Sequence, residues 1–295
     1  MSSLDGRGVI VAVDGSPSSL VATDWAARDA ALRHVPLRLV HVLAEPAVGM
    51  WPEPASFGDF SAWREENGHQ ILSEARRVAD QAIAEHGPVR IEEVSIAGTT
   101  VPSLVDLSKD ATLMVVGCRG QGALKRRLLG SVSSGLVHHA HCPVAVIHDQ
   151  DPLMDHPASA PVLVGIDGSP ASELATAVAF DEASRRGVGL IAMHSWASDD
   201  VYLWANVDWD VQLEIGKEAL AERLAGWQEH HPEVPVDHRL VYGAPAEKLL
   251  EASEEAQLTV VGSHGRGGFA GMLLGSVSSA VAQGARMPVI VARQG

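Results

Sequence analysis

Short apolar runs recur along the chain: VIVAVD at 9–14, LRLVHVL at 37–43, VRIEEVSI at 89–96, TLMVVG at 112–117 and PVAVIH at 143–148. A second series follows: VLVGID at 162–167, GLIAMHSW at 189–196, VDHRLVY at 236–242, LTVVG at 258–262 and PVIVAR at 288–293. Their length and β-branched content predict strands. Longer stretches with helical spacing lie between them. In 71–83 the residues Ile71, Leu72, Ala75, Val78, Ala79, Ala82 and Ile83 form one apolar stripe. Strands alternating with helices, several of them apolar throughout, predict an α/β fold with a parallel sheet covered on both faces. Right-handed crossovers then make a doubly wound, Rossmann-like sheet the expected outcome.

The two series are copies. The heptapeptide LLGSVSS occurs at Leu128–Ser134 and again at Leu273–Ser279. VIVAVDGSP (9–17) falls on VLVGIDGSP (162–170) at an offset of 153 residues, which also places His41 on His194. LMVVGCRG (113–120) falls on LTVVGSHG (258–265) at an offset of 145, so the first copy is eight residues longer somewhere between His41 and Leu113. This is the signature of a duplicated domain. The expected division is 1–149, a linker at 150–160 rich in proline and polar residues, and 161–295.

Composition narrows the class. With 46% hydrophobic residues and a mean hydropathy of +0.08, each half can bury a core. The net charge of −15 (37 acidic against 22 basic residues) argues against general nucleic-acid binding, which needs phosphate-neutralising cations. Two cysteines are too few for a disulfide scaffold and fit a reducing cytoplasm. The start MSSLDGRG has no secretory pattern, and runs such as TLMVVGC are too short to span a bilayer. A soluble, cytoplasmic protein is expected.

The chemistry concentrates in one loop. GCRGQGALKRRLLGS (Gly117–Ser131) and GSHGRGGFAGMLLGS (Gly262–Ser276) both follow G-x2-G-x9-G-S. Each starts at the carboxyl end of the fourth strand and ends where the last helix begins. Gly117, Gly120, Gly262 and Gly265 let the backbone turn tightly and approach a ligand. Gly130-Ser131 and Gly275-Ser276 fall at a helix amino terminus, where free N–H groups and the dipole attract phosphate. Ser131, Ser133, Ser276 and Ser278 add hydroxyls there. A turn with a serine cap is the plainer explanation. Its duplication, each copy with an Asp-Gly after the first strand, favours an anion cradle. Asp14 and Asp167 stand beside the crevice of such a sheet and could bond a ribose hydroxyl or an adenine amino group. Alternatively they are turn aspartates preceding Ser16-Pro17 and Ser169-Pro170, which read as a cap and a first helical residue.

With both glycine patterns and both aspartates present, the whole chain resembles a tandem universal stress protein of the ATP-binding type, in the two-domain form found in mycobacteria and other actinobacteria. The resemblance implies strand order 3-2-1-4-5 in each copy and ATP at the carboxyl edge of the strands. It implies Asp14 near adenine and ribose, Val42 near the adenine edge, and Gly117, Arg119, Gly120, Gly130, Ser131, Val132 and Ser133 around ribose and phosphates. In the second copy the same roles fall to Asp167, Ser195, Gly262, His264, Gly265, Gly275, Ser276, Val277 and Ser278. Mg2+ is expected only through the phosphates. The fifth strands, ending their sheets, are implied to pair across domains, and the chain to form a homodimer.

Other functions fit less well. There is no G-x4-G-K-[ST], and no G-x-G-x-x-G after either first strand. Neither glycine loop has an evident base and nucleophile, so a nucleotide-responsive stress or growth regulator is expected, with slow ATP hydrolysis as the alternative. The first loop carries Lys125, Arg126 and Arg127 where the second has only Arg266; these cations could strengthen phosphate binding in the first copy but read more simply as solvated loop charges. Cys118 and Cys142 should lie at opposite ends of adjacent parallel strands, beyond disulfide reach. Of His138, His139 and His141, only the first and last share a helical face, and no third metal ligand is apparent. The tryptophans of 49–63 and 202–209 follow the second strands, as packing or as a lid.

Overall fold

In the computed structural model β1 (Gly8–Ala12), β2 (Leu37–Leu43), β3 (Ile91–Ala97), β4 (Ala111–Gly117) and β5 (Val144–Ile147) pair in parallel in the order β3-β2-β1-β4-β5. Helices α1 (Pro17–Arg33), α2 (Phe57–Ala82), α3 (Thr100–Leu107) and α4 (Ser131–His139) connect them. The second half repeats this order. There β6 (Val162–Gly165), β7 (Leu190–Trp196), β8 (Val236–Tyr242), β9 (Leu258–Gly262) and β10 (Val289–Ala292) run β8-β7-β6-β9-β10, all parallel. Its helices are α5 (Pro170–Arg186), α6 (Trp209–His230), α7 (Pro245–Ser253) and α8 (Ser276–Gly284). The structure describes residues 7–44, 57–84, 87–120, 129–148, 157–196, 209–265 and 273–293. The chain divides into two units between Asp149 and Gln150. No described helix is long and apolar enough to cross a membrane.

Local chemistry explains the elements. Ser16 and Ser169 are extended N-caps whose side chains accept from the amides of Ser19 and Ser172, with Pro17 and Pro170 in the first helical turn. Both helices end in a left-handed residue, His34 (φ 55°) in the first unit and Gly187 (φ 64°) in the second. Glycine adopts that conformation without penalty, whereas a side chain there costs about 1 kcal/mol. The inner face of α1 is a row of fully buried alanines, Ala22, Ala26, Ala27 and Ala30. Such small side chains let the helix approach the sheet closely. On the same helix Asp29 bonds Arg33 at 2.6 Å, and at the matching positions of α5 Glu182 bonds Arg186 at 3.0 Å, with both carboxylates almost wholly buried. β3 alternates between half-buried and exposed positions over most of its length and β8 is nowhere fully buried, while β5, β9 and β10 are buried throughout.

One buried polar group in a core strand is unsatisfied. Thr259 on β9 is fully buried and its hydroxyl has no hydrogen-bond partner. The matching residue of the first unit is Met114. An unpaired buried hydroxyl is destabilising, and valine has nearly the same shape without it. Thr259→Val is expected to raise stability by about 1 kcal/mol, read as a higher urea midpoint at unchanged slope. A lower midpoint would show that the hydroxyl has a partner in solution.

Candidate functional site

In each unit the first strand, β1 or β6, gives way to its helix beside the fourth strand, β4 or β9. Val13 has left β1, but its amide still bonds the Val40 carbonyl at 2.9 Å. Gly15 (φ 78°) then turns the chain into α1, as Gly168 (φ 76°) does into α5. The Asp14 carboxylate is used at both ends. Its Oδ1 accepts from the Ser16 amide at 3.0 Å and the Ser16 hydroxyl at 2.6 Å. Its Oδ2 leans over Gly120, where an added Cβ would lie 2.6 Å away. Asp167 repeats this: Oδ1 accepts from the Ser169 amide at 2.9 Å, and Oδ2 would lie 2.6 Å from a Cβ on Gly265. The turn aspartate and the aspartate aimed at the glycine loop are one and the same residue.

The three glycines of the pattern do different things. A Cβ on Gly117 would meet Ser18 Oγ, O and C at 2.6–2.8 Å, and one on Gly262 would meet Ala171 C and O at 2.7 Å. Their missing side chains therefore face the first turn of the neighbouring helix. This is a packing role beyond the ligand approach expected of them, and Gly117 also lines the cavity of the first unit. Gly120 and Gly265 accommodate the aspartates. Gly130 and Gly275 are ordinary extended residues, and a Cβ there would make only normal contacts, with Arg119 Cα at 3.5 Å and His264 Cα at 3.4 Å. No steric demand from the described residues accounts for these last two glycines.

Gly130 also closes the loop, its amide donating to the Cys118 carbonyl at 2.8 Å; Gly275 does the same to Ser263 at 2.7 Å. The helix start is thereby held beside the strand end. The first intrahelical bond of α4 runs from the Ser134 amide to the Gly130 carbonyl. The amides of Ser131, Val132 and Ser133 precede it, and no side chain caps the helix. α8 begins likewise at Ser276, Val277 and Ser278, again without a side-chain cap. Ser131 and Ser276 are exposed, whereas Ser133 and Ser278 are buried. The Ser133 hydroxyl donates to the Gly117 carbonyl at 2.7 Å, and the Ser278 hydroxyl donates to Gly262. These two hydroxyls tie helix to strand, so at these positions it is the amides that face outward as donors.

In the first unit these features surround one cavity of about 250 Å³. Asp14, Val42, Gly117, Arg119, Gly120, Gly130, Ser131, Val132 and Ser133 all line it. So do residues that motif reading passed over, including Val40, Thr100, Leu104 and His41. The His41 ring bonds the Val13 carbonyl through Nδ1 at 2.8 Å, and His194 bonds Ile166 in the same way. A carbonyl only accepts, so Nδ1 carries the proton and the ring pins the end of the first strand to the second. The alignment of His41 with His194 was the available signal. In the second unit Ser195 ends β7, its hydroxyl donating to the Gly243 carbonyl at 2.8 Å. His264 is half-buried, with Nδ1 2.8 Å from the Ser263 hydroxyl.

The remaining candidates separate from the site. Cys118 and Cys142 are both buried, and the pairing of Met114 with Val144 and Gly117 with Ile147 puts them toward opposite ends of β4 and β5. α4 ends at His139, so His138 and His141 share no helical face, contrary to expectation. His138 Nδ1 contacts its own helix at the Ser134 carbonyl, and the His141 amide donates to Ser108. Trp63 on α2 is 60% exposed. Lys125, Arg126, Arg127, Arg266, Trp51 and Trp204 lie outside the described residues.

Known proteins share both the sequence and the architecture. The model of the universal stress protein family matches residues 7–148 and 159–293. A universal stress protein of Mycobacterium tuberculosis is 54% identical over 287 residues, covering 97% of this chain and 96% of that protein. One from Mycolicibacterium smegmatis is 49% identical over 290 residues, covering 97% of each. Among solved structures, a universal stress protein from Archaeoglobus fulgidus shares the fold with a TM-score of 0.71, over 97% of this chain and 98% of that one, at 22% identity.

Proposed function

This chain belongs to the universal stress protein family, and from that premise we propose that it binds two adenine nucleotides, one per unit, and acts as an ATP-responsive regulator. The observation that carries this reading is the cavity of the first unit. Asp14, Arg119 and an uncapped helix start line it, from three separate segments. That donor set matches a nucleoside polyphosphate. The Asp14 carboxylate suits ribose or the adenine amino group, and Val40 and Val42 give an apolar wall for the base. The amides of Ser131–Ser133 and the Arg119 guanidinium suit phosphate. Gly130 and Gly275 keep the phosphate side clear of a Cβ. Asp167, Ser195, His264 and the start of α8 give the second unit the corresponding groups.

Among the described residues no group of three His, Cys, Asp or Glu side chains is placed to hold a metal. In this reading Mg2+ arrives on the phosphates. Regulation further requires that ATP bind one assembly of the protein better than another. A cytoplasmic homodimer is the assembly on which it would act.

Calorimetry with Mg·ATP is expected to give two sites per chain, and absence of binding would overturn the reading. Turnover is expected near background, with nucleotide changing the sedimentation of the protein. Several turnovers per second, lost in Asp14→Ala with Asp167→Ala, would replace the regulator with an ATP hydrolase.

A further inference from the structure

The two candidate sites carry a hydroxyl at different places on the same wall. Strand pairing sets out the first of them. β4, which leads into the glycine loop, lies on one side of β1, and β2 followed by β3 lies on the other. A nucleotide with phosphates at the start of α4 and ribose at Asp14 therefore extends its base toward β2 and the start of α3. Val42 on β2 and Thr100, the first residue of α3, both line the cavity. In the second unit their counterparts are Ser195 on β7 and Pro245, the first residue of α7. The first unit thus pairs an apolar strand residue with a helix hydroxyl, and the second pairs a strand hydroxyl with an apolar helix start. The two hydroxyls also differ in freedom. Ser195 is half-buried, and its hydroxyl donates to the Gly243 carbonyl at 2.8 Å. Its one proton is committed, so toward a ligand the oxygen can only accept. Among the described residues the Thr100 hydroxyl makes no hydrogen bond within the protein, so it can turn to donate or to accept.

We propose that the second site selects 6-aminopurine nucleotides over 6-oxopurine nucleotides through Ser195, while the first site, through Thr100, takes either. This rests on the nucleotide reading above. The amino group of adenine donates, whereas the oxo group of hypoxanthine or guanine only accepts. An oxo group set against the Ser195 oxygen brings two acceptors together with no proton between them, and both have lost the water they bonded before. The Thr100 hydroxyl meets either edge by rotating about its C–O bond, and Val42 makes no polar demand of its own. A site with a fixed hydrogen-bonding group discriminates by leaving that group unpaired with the wrong ligand, and only the second site is built in that way.

The test isolates each site in the full chain, Gly120→Glu removing the first and Gly265→Glu removing the second. Calorimetry with Mg·ATP and with Mg·ITP then gives an affinity ratio for each site. The two nucleotides differ only at the base edge, so ribose and phosphate contributions cancel in the ratio. The second site is expected to prefer ATP about ten-fold more strongly than the first, the cost of one unpaired polar contact in a half-buried position. Ser195→Ala should bring its ratio down to that of the first site by weakening ATP and not ITP, whereas Ser195→Thr, which keeps the hydroxyl, should retain the selectivity. A misfolded variant would lose both nucleotides together. The reciprocal exchange, Val42→Ser with Thr100→Val, should raise the ratio of the first site, because Gly98 (φ 153°) stands there as Gly243 (φ 137°) does in the second. Equal ratios at two sites that both bind ATP, or selectivity unchanged in Ser195→Ala, would overturn this inference alone. No binding of either nucleotide to the unmutated chain would overturn the nucleotide reading and this inference with it.

Discussion

Gly120→Glu is expected to remove one nucleotide from the chain, lowering the calorimetric stoichiometry from two to one while the circular dichroism spectrum stays native. The cause lies in the first atom of the new side chain. A Cβ on Gly120 would fall 2.6 Å from Asp14 Oδ2, so the carboxylate must leave its place over the loop. The added carboxylate then stands near the amides of Ser131, Val132 and Ser133 and opposes the charge those groups would attract. Loss of two charge-assisted contacts, each worth roughly 1.5 kcal/mol, amounts to about 100-fold or more in affinity. The fold should survive, because Gly120 is exposed and the atom that must move is the end of a side chain. Gly120→Ala should show a smaller loss from displacement of Asp14 alone. Two nucleotides still bound by a natively folded Gly120→Glu protein would mean that the loop is only a turn.

The architecture was legible because it is written in local patterns. Strand runs, a helical stripe and a repeated glycine spacing are short-range features, and parallel connection restricts what they can build. Strand order 3-2-1-4-5 came from family resemblance, and the pairing in each unit agrees with it. What one strand of text does not contain is the neighbour across space. Gly117 and Gly120 look alike in a motif, yet the missing Cβ of one faces helix backbone and that of the other faces a carboxylate. Ser131 and Ser133 look alike too, but two residues along a helix turn a side chain away from its neighbour, so one is exposed and the other bonds Gly117. Thr100 and Leu104 reach the cavity from α3, an element without any motif of its own. His138 and His141 were separated by the end of α4, a boundary that sequence reading places least reliably.

The same distinction between glycines yields the largest expected effect on stability. At Gly262 a Cβ would meet Ala171 C and O at 2.7 Å and the Ser172 amide nitrogen at 3.0 Å. All three are main-chain atoms in the first turn of α5, and no rotamer change can clear them. The helix cannot simply shift outward. Its start is fixed by the Ser169 cap, and Ala175, Ala179, Phe180 and Ala183 are fully buried. Gly262→Ala is therefore expected to destabilise the second unit by about 3 kcal/mol, at the upper end of overpacking costs. Gly265→Ala, three residues on, displaces only the Asp167 carboxylate and should leave stability nearly unchanged while weakening nucleotide binding. Urea denaturation followed by a probe in each unit separates the two cases. Gly262→Ala should move the second unit's transition to lower urea and leave the first unit's in place, whereas Gly265→Ala should move neither. Equal midpoints for both variants would mean that α5 yields to the extra methyl, and that the first glycine of the pattern is not a packing requirement after all.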